Sequence, residues 1–155
     1  RLFLFFALKL RVFFFCFWSV CVSSDFGRGL GFVEMLFKCN ILAFIGGGSE
    51  PLYPRNKVML WDDYKTRCFA ELEFRHEVLS VRLRRDKIAV VVQKTVYVYK
   101  FADLSLLNKH DTYNNPRGLC ALSADPSRTV LACPGTLAGQ VKPANFFFSV
   151  NSFFL

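Results

Sequence analysis

Two stretches of the sequence decide its fold: Val33-Glu-Met-Leu-Phe-Lys-Cys-Asn-Ile-Leu-Ala-Phe-Ile-Gly-Gly-Gly48 and Asn56-Lys-Val-Met-Leu-Trp-Asp-Asp63. The first holds two short apolar runs and a glycine turn, and the second is an apolar run that ends in a Trp-Asp pair. Short apolar runs separated by turn residues are typical of antiparallel strands. A Trp-Asp pair closing such a strand is typical of β-propeller blades.

The same pattern recurs along the middle of the chain. A first set of predicted strands comprises Phe32–Phe37, Ile41–Ile45, Lys57–Asp62 and Cys68–Phe74. A second set comprises Val78–Leu83, Ile88–Val92, Thr95–Phe101 and Leu104–Asp111. The start of a third comprises Gly118–Ser123, Thr129–Cys133 and Gly139–Val141. We therefore predict an all-β fold, a WD-type β-propeller fragment with about two complete blades and part of a third.

The first two sets differ in the length of one loop. Ile41 aligns with Ile88 and Val58 aligns with Val96, so the offset between the sets falls from 47 to 38 residues. The difference lies in the loop Gly46–Asn56, which the second set replaces with Gln93-Lys94. Because a long loop on a regular scaffold is a common place for binding residues, this loop is a candidate contact site.

The composition favours an anionic partner but not nucleic acid. The chain has 155 residues, 20 basic and 12 acidic side chains, and a net charge of +8. Such a surplus attracts lipid headgroups or nucleic acid. The sequence has no dense basic stripe interleaved with aromatic residues, which a nucleic-acid interface usually needs. We therefore predict no nucleic-acid partner.

No residue pattern points to catalysis, a cofactor or a metal. The cysteines, none in a C-x-x-C pair, are Cys16, Cys21, Cys39, Cys68, Cys120 and Cys133. We interpret the four in the middle of the chain as small hydrophobic residues in a reducing compartment. Gly46-Gly47-Gly48 lacks the Lys and Ser/Thr of a phosphate loop. Asp62-Asp63 is predicted to organise a turn, and His76 and His110 to be solvated turn residues.

The two ends differ in composition from the middle. Residues 1–24 and 143–155 are rich in phenylalanine, with 7 of the 19 phenylalanines in residues 1–17. Lys9 and Arg11 interrupt the first segment, and the uninterrupted apolar run that remains, Val12–Val22, is short. Both features argue against a membrane anchor. We expect a hydrophobic N-terminal segment (1–24), a partial propeller (25–142) and a tail (143–155). Both ends are interpreted as translated non-coding sequence, with an anchor at 1–22 as the alternative.

Several ordered segments of the middle resemble one protein family. They are Val33–Phe37, Asn40–Gly48, Pro54–Asp63, Ser80–Asp86, Val96–Leu104, Asn115–Cys120, and Pro134-Gly135 with Gly139. On these segments the chain resembles the PROPPINs, phosphoinositide-binding seven-bladed propellers that include the autophagy-related protein 18 group. The match looks like the second and third blades and the start of the fourth.

This resemblance implies the function of a parent protein. A PROPPIN is a non-enzymatic autophagy effector that binds phosphatidylinositol 3-phosphate or the 3,5-bisphosphate. It is cytosolic and peripheral on preautophagosomal and endosomal membranes, and it recruits autophagy-related protein 2. The lipid sites of the family lie in later blades around an Arg-Arg-Gly signature. Here Arg84-Arg85 is followed by Asp86, so we predict a turn there and assign no lipid-binding residue to this fragment.

One functional element transfers by resemblance. Pro54 and Arg55, in the loop Gly46–Asn56, resemble the second-blade loop that contacts autophagy-related protein 2. They are therefore the candidate partner-binding residues, with an ordinary solvated loop as the alternative. Two other functions stay open: a membrane-anchored protein using residues 1–22, and a generic WD-repeat scaffold for protein interactions.

Overall fold

A computed structural model describes residues 28–125 and 130–145 of the chain. These residues form eleven β-strands in three antiparallel sheets and contain no helix. The predicted hydrophobic segment 1–24 and residues 146–155 of the predicted tail lie outside the described residues. The anchor and the non-coding origin of the ends therefore stay predictions.

Two sheets have four strands each, in chain order from one edge to the other. The first sheet comprises β1 (Leu30–Met35), β2 (Ile41–Gly46), β3 (Lys57–Asp62) and β4 (Arg67–Glu73). The second comprises β5 (Val78–Leu83), β6 (Lys87–Val92), β7 (Thr95–Lys100) and β8 (Leu106–Asp111). The third has the order β11-β10-β9 and comprises β9 (Ala121–Leu122), β10 (Val130–Pro134) and β11 (Val141–Asn145). The predicted all-β propeller fragment is confirmed.

The second sheet packs on both of its faces, which explains the unbroken apolar run of β6. Ile88, Val90 and Val92 face the first sheet and join one core cluster. Ala89 and Val91 alternate with them and join the other cluster, which includes Leu131 and Cys133 of β10. Successive side chains of a strand point to opposite faces. A central strand that is covered on both faces is therefore apolar at every position.

The sheets meet through their first strands. β5 contacts β1 of the preceding sheet and β9 of the following sheet. Sheets that converge on their first strands and diverge at their last strands have the wedge arrangement of consecutive propeller blades.

The connections between strands lie alternately on two rims. One rim, called here the turn rim, carries residues 36–40, 63–66, 84–86 and 101–105. The opposite rim, called here the loop rim, carries residues 47–56, 74–77, 93–94, 112–120 and 135–140.

Among residues 28–125 and 130–145 no helix is long and apolar enough to cross a membrane.

Candidate functional site

The β2–β3 loop, residues 47–56, is folded back against the start of β1. The Gly29 amide donates to the Glu50 carbonyl at 3.0 Å, and the Gly29 carbonyl accepts from Gly47 at 3.2 Å and from Leu52 at 3.1 Å. Tyr53 packs on the Phe44 ring with centroids 5.5 Å apart. The loop is therefore held by backbone bonds and by an aromatic contact with the core.

Close backbone approach explains the glycines at the start of this loop. A Cβ on Gly46 would lie 1.6 Å from the Tyr53 carbonyl oxygen, and a Cβ on Gly47 would lie 2.3 Å from the Cα of Gly31. Gly48 has a φ of +82°, which glycine adopts at low cost. These glycines form a turn, as predicted, and no helix of a phosphate loop follows them in the described chain.

Pro54 and Arg55 lie at the exposed end of the loop, before β3. The Arg55 guanidinium donates to the Gly48 carbonyl at 2.9 Å and lies 3.9 Å from a Glu77 carboxylate oxygen. Its side chain is 51% exposed, and its backbone carbonyl accepts from Val78 at 2.9 Å. The position is thus fixed by the scaffold while the charge stays accessible. That Pro54 and Arg55 bind a partner stays a prediction.

Asp62 organises the β3–β4 turn, as the sequence predicted. Its Oδ1 accepts from the amides of Tyr64 at 3.1 Å and Lys65 at 3.2 Å, and from the Asn40 side chain. Partial burial acts to raise the pKa of Asp62, but these hydrogen bonds outweigh it and lower the pKa on balance. A carboxylate so engaged is a turn residue and not half of an acid–base pair.

Arg84 and Asp86 also form a closed unit within a turn, between β5 and β6. Two guanidinium nitrogens of Arg84 donate to the two Asp86 carboxylate oxygens, at 2.5 and 2.7 Å, and a third donates to the Asp125 carbonyl. The Arg84 side chain is only 4% exposed. Its guanidinium holds the pKa of Asp86 well below the usual range. The Arg84 guanidinium thus bonds residues of its own turn and the Asp125 backbone, and the predicted turn is confirmed.

Arg82 of β5 links the first sheet to the segment that leads into β9 of the third sheet. It forms an ion pair with Glu34 of β1 at 2.8 Å, donates to the Cys120 carbonyl at 3.1 Å and lies over the Phe32 ring at 5.6 Å. Burial raises the pKa of Glu34, and Arg82 opposes that shift. The sequence did not single out this contact because its partners are far apart along the chain.

The cysteines and histidines of the described chain do not form a reactive cluster. Cys39, Cys68, Cys120 and Cys133 are free thiols, and no group of described residues could hold a metal ion. Burial raises the pKa of Cys120 to about 12, which suppresses the reactive thiolate at neutral pH. His76 is exposed in a turn, as predicted.

The prediction that His110 is a solvated turn residue is wrong. His110 lies in β8 and is half-buried. Burial and the charge of Lys142 lower its pKa, although Asp111 opposes the shift.

Two adjoining pockets on the loop rim were not foreseen from the sequence. They lie between the β6–β7 turn, the connection from β8 to β9 and the β10–β11 turn. Their residues come from three separate parts of the chain. The sequence signals were the segment Asn115–Cys120 and the residues Pro134 and Gly139, which entered the resemblance without a role.

Comparison with known proteins places the fold in a family. The sequence pattern of the PROPPIN family matches residues 30–145, which span all three sheets. The chain is 42% identical over 126 residues to autophagy-related protein 18e of Arabidopsis thaliana, covering 81% of this chain and 34% of the relative. It is 38% identical over 115 residues to SVP1-like protein 2 of Pichia angusta, covering 74% and 32%. The chain thus spans about a third of the length of these curated relatives.

Solved structures agree with the fold. Hsv2 of Kluyvelomyces marxianus superposes with a TM-score of 0.62 at 23% identity, over 77% of this chain and 36% of that chain. KlAtg21, solved in complex with the coiled coil of AgAtg16, superposes with a TM-score of 0.59 at 23% identity, over 80% and 39%. The match of the family pattern to all three sheets, together with these relatives, shows that the chain belongs to the PROPPIN family.

Proposed function

We propose that this chain is part of a phosphoinositide-binding propeller that acts as a membrane effector and scaffold in autophagy. The observation that carries the proposal is the family match over residues 30–145, which includes every described strand. The names of the relatives, autophagy-related proteins 18e and 18, support the process. In this proposal the protein is not an enzyme, and it is cytosolic and peripheral on preautophagosomal and endosomal membranes.

The lipid specificity belongs to the same proposal. We expect phosphatidylinositol 3-phosphate or the 3,5-bisphosphate to be the ligand, because arginine guanidinium groups bind phosphate through paired charge-assisted hydrogen bonds. The one Arg-Arg pair of the described chain does not offer such a site, since Arg84 is buried against Asp86. We therefore assign lipid binding to the portion of the relatives that this chain does not match.

A chimera tests this assignment. Residues 30–145 replace the matching segment of the Arabidopsis relative, and flotation is measured on phosphatidylcholine vesicles with and without phosphatidylinositol 3-phosphate. We expect the chimera to float only with the phosphoinositide, as the relative itself would. A chimera that melts like the relative but floats equally on both vesicles would contradict the proposal.

We further propose that Pro54 and Arg55 contact autophagy-related protein 2. The support is the accessible guanidinium on a loop that the scaffold holds in place. The proline restricts the backbone next to the arginine, which lowers the entropic cost of binding. The proposal is supported by a similar propeller, KlAtg21, which was solved in complex with the coiled coil of AgAtg16.

Substitution of Arg55 separates binding from bracing of the loop. We expect Arg55→Glu to weaken binding of autophagy-related protein 2 by about tenfold or more, because it reverses the charge that the loop presents to the partner. Arg55→Lys keeps the charge and should retain most of the binding. Arg67→Glu, on the exposed start of β4, is the matched control. Equal binding by the wild type and Arg55→Glu in a pull-down would refute the assignment, and equal loss in Arg55→Lys and Arg55→Glu would show that the arginine only braces the loop.

A further inference from the structure

The cleft on the loop rim between the second and third sheets consists of two pockets. The smaller has a volume of about 290 Å³ and the larger about 500 Å³, and both are lined by Tyr113 and Asn114. The β6–β7 turn forms one wall and the β10–β11 turn forms the other. The pockets therefore adjoin and could hold neighbouring groups of one ligand.

Backbone hydrogen bonds hold the cleft open without a ligand. The Thr112 amide donates to the Lys94 carbonyl at 2.9 Å, and the Tyr113 amide donates to the Gly135 carbonyl at 2.6 Å. The Asn115 amide donates to the Gln93 carbonyl at 2.8 Å, on the same wall as Lys94. The floor of the cleft is thus bonded alternately to both walls, so its shape is set before binding.

A tight turn presents a cation at one end of the cleft. The buried Asn115 side chain accepts from the Leu119 amide at 2.9 Å and donates to the Leu119 carbonyl at 3.0 Å. Gly118 closes the turn with a φ of +62°. Within this turn Arg117 is exposed and lines the smaller pocket.

The residues that line the larger pocket have polar side chains, and one of them has a hydroxyl with no partner among the described residues. Gln93, Lys94, Asn114 and Thr136 line it together with Thr112. Thr112 is only 8% exposed, and its Oγ1 is buried with no hydrogen-bond partner within the described residues. A buried polar group without a partner is unfavourable. A ligand group that bonds this hydroxyl would remove that cost.

The charged residues that line the cleft, Lys94 and Arg117, are both basic. The described residues form ion pairs between Glu34 and Asp111 along the chain. Lys94 and Arg117 are in none of them. From residue 112 to residue 145 the sequence has a single acidic side chain, Asp125. The cleft is therefore complementary to a negatively charged ligand.

The smaller pocket supplies apolar contact next to this charge. Tyr113, Leu119 and Leu137 line it, and the two leucines are 57% and 63% exposed. Pro116 and Pro134 complete the wall. Large apolar side chains exposed around one recess are a feature of interaction sites.

We propose that this cleft binds a short acidic peptide segment of a partner protein. An acidic side chain enters the larger pocket and bonds Lys94 and the Thr112 hydroxyl. An adjacent apolar side chain enters the smaller pocket beside Leu137, while Arg117 attracts further acidic residues. A peptide fits better than a membrane, because the apolar side chains surround a recess that adjoins a second pocket lined by polar residues. The proposal does not depend on lipid binding.

Peptide binding to the full 155-residue chain tests the proposal. The probes are fluorescein-labelled Gly-Ser peptides that each carry one Asp-Glu pair and one Leu-Phe pair, and the number of residues between the two pairs is varied. Fluorescence anisotropy measures their affinity for the chain. We expect Lys94→Glu and Leu137→Asp each to weaken binding by about tenfold or more. Thr112→Val, which removes only the hydroxyl, should weaken it several-fold. Lys38→Glu makes the same charge change on the turn rim and should leave the affinity unchanged.

A charge reversal keeps the test decisive if a variant folds poorly. Circular dichroism first shows which variants retain the wild-type spectrum. In a folded Lys94→Glu chain we expect preference to shift toward peptides in which Lys-Arg replaces Asp-Glu. Equal affinity in Lys94→Glu and Lys38→Glu, or no binding by any acidic–apolar peptide, would overturn the proposal. Lys94-dependent flotation on phosphatidylserine vesicles without peptide binding would assign the cleft to a membrane instead.

Discussion

Charged residues in the turns of this chain act mainly on their own backbone and neighbours. Asp62 bonds the turn that follows β3, and Asp86 bonds the arginine that precedes it. Asp86 at the position after Arg84-Arg85 was enough to predict a turn. The burial of Arg84 was not predictable, because its third contact is a backbone carbonyl 41 residues away.

We predict that Asp86→Asn destabilises the chain by about 1–2 kcal/mol at neutral pH, since it weakens charge-assisted bonds to a buried arginine. The pKa of Asp86 is lower in the folded chain than in the unfolded chain. Its contribution is therefore complete above the unfolded pKa, near 4, and is lost as the pH falls toward the folded value. Urea unfolding of both chains should show a constant difference from pH 7 to pH 5 and a shrinking one below pH 4. A difference that does not change with pH would contradict this prediction.

At the scale of the strands, alternation and turn residues were enough to predict almost every element. β8 begins at Leu106 and not at the predicted Leu104, because Leu104 has a φ of +54° in the preceding turn. β11 spans Val141–Asn145 and not Gly139–Val141, because Gly139 has a φ of +84°. The sequence did not predict the second half of β11 because it contains Pro143. Proline cannot donate a backbone hydrogen bond and is therefore uncommon within a strand.

The β2–β3 loop gives a prediction about close packing of the backbone. We expect Gly46→Ala to destabilise the chain by about 3 kcal/mol or more, because the new Cβ would collide with the backbone of Tyr53. Gly48→Ala should cost only about 1 kcal/mol, because the new Cβ would meet only the Gly29 Cα, at an ordinary contact distance of 3.8 Å, and the main cost is the positive φ. Thermal unfolding of the two variants compares them directly. Equal shifts in Tm would mean that the loop relaxes away from Gly46.

At the scale of the whole molecule, the sheets are joined by contacts between residues that are distant in sequence. Arg82 and Glu34 are 48 positions apart, and Ser80 donates to the Gly118 carbonyl across 38 positions. Period and composition predict which face of each strand is buried. They do not identify which polar side chains meet between sheets, and for the same reason the two-pocket cleft was missed.

Arg82 provides the sharpest test of how the sheets are held together. We predict that Arg82→Met destabilises the chain by about 2–3 kcal/mol, because Glu34 loses its partner in a half-buried site. Lys100→Met is the matched control, since the Lys100–Asp103 pair is exposed on both sides and should cost less than about 1 kcal/mol. Urea unfolding at several chain concentrations separates folding from self-association. In the double variant with Glu34→Leu, stability should partly recover, because no buried carboxylate is left unpaired. If Arg82→Met and Lys100→Met shift the midpoint equally, packing of apolar faces alone holds the sheets together.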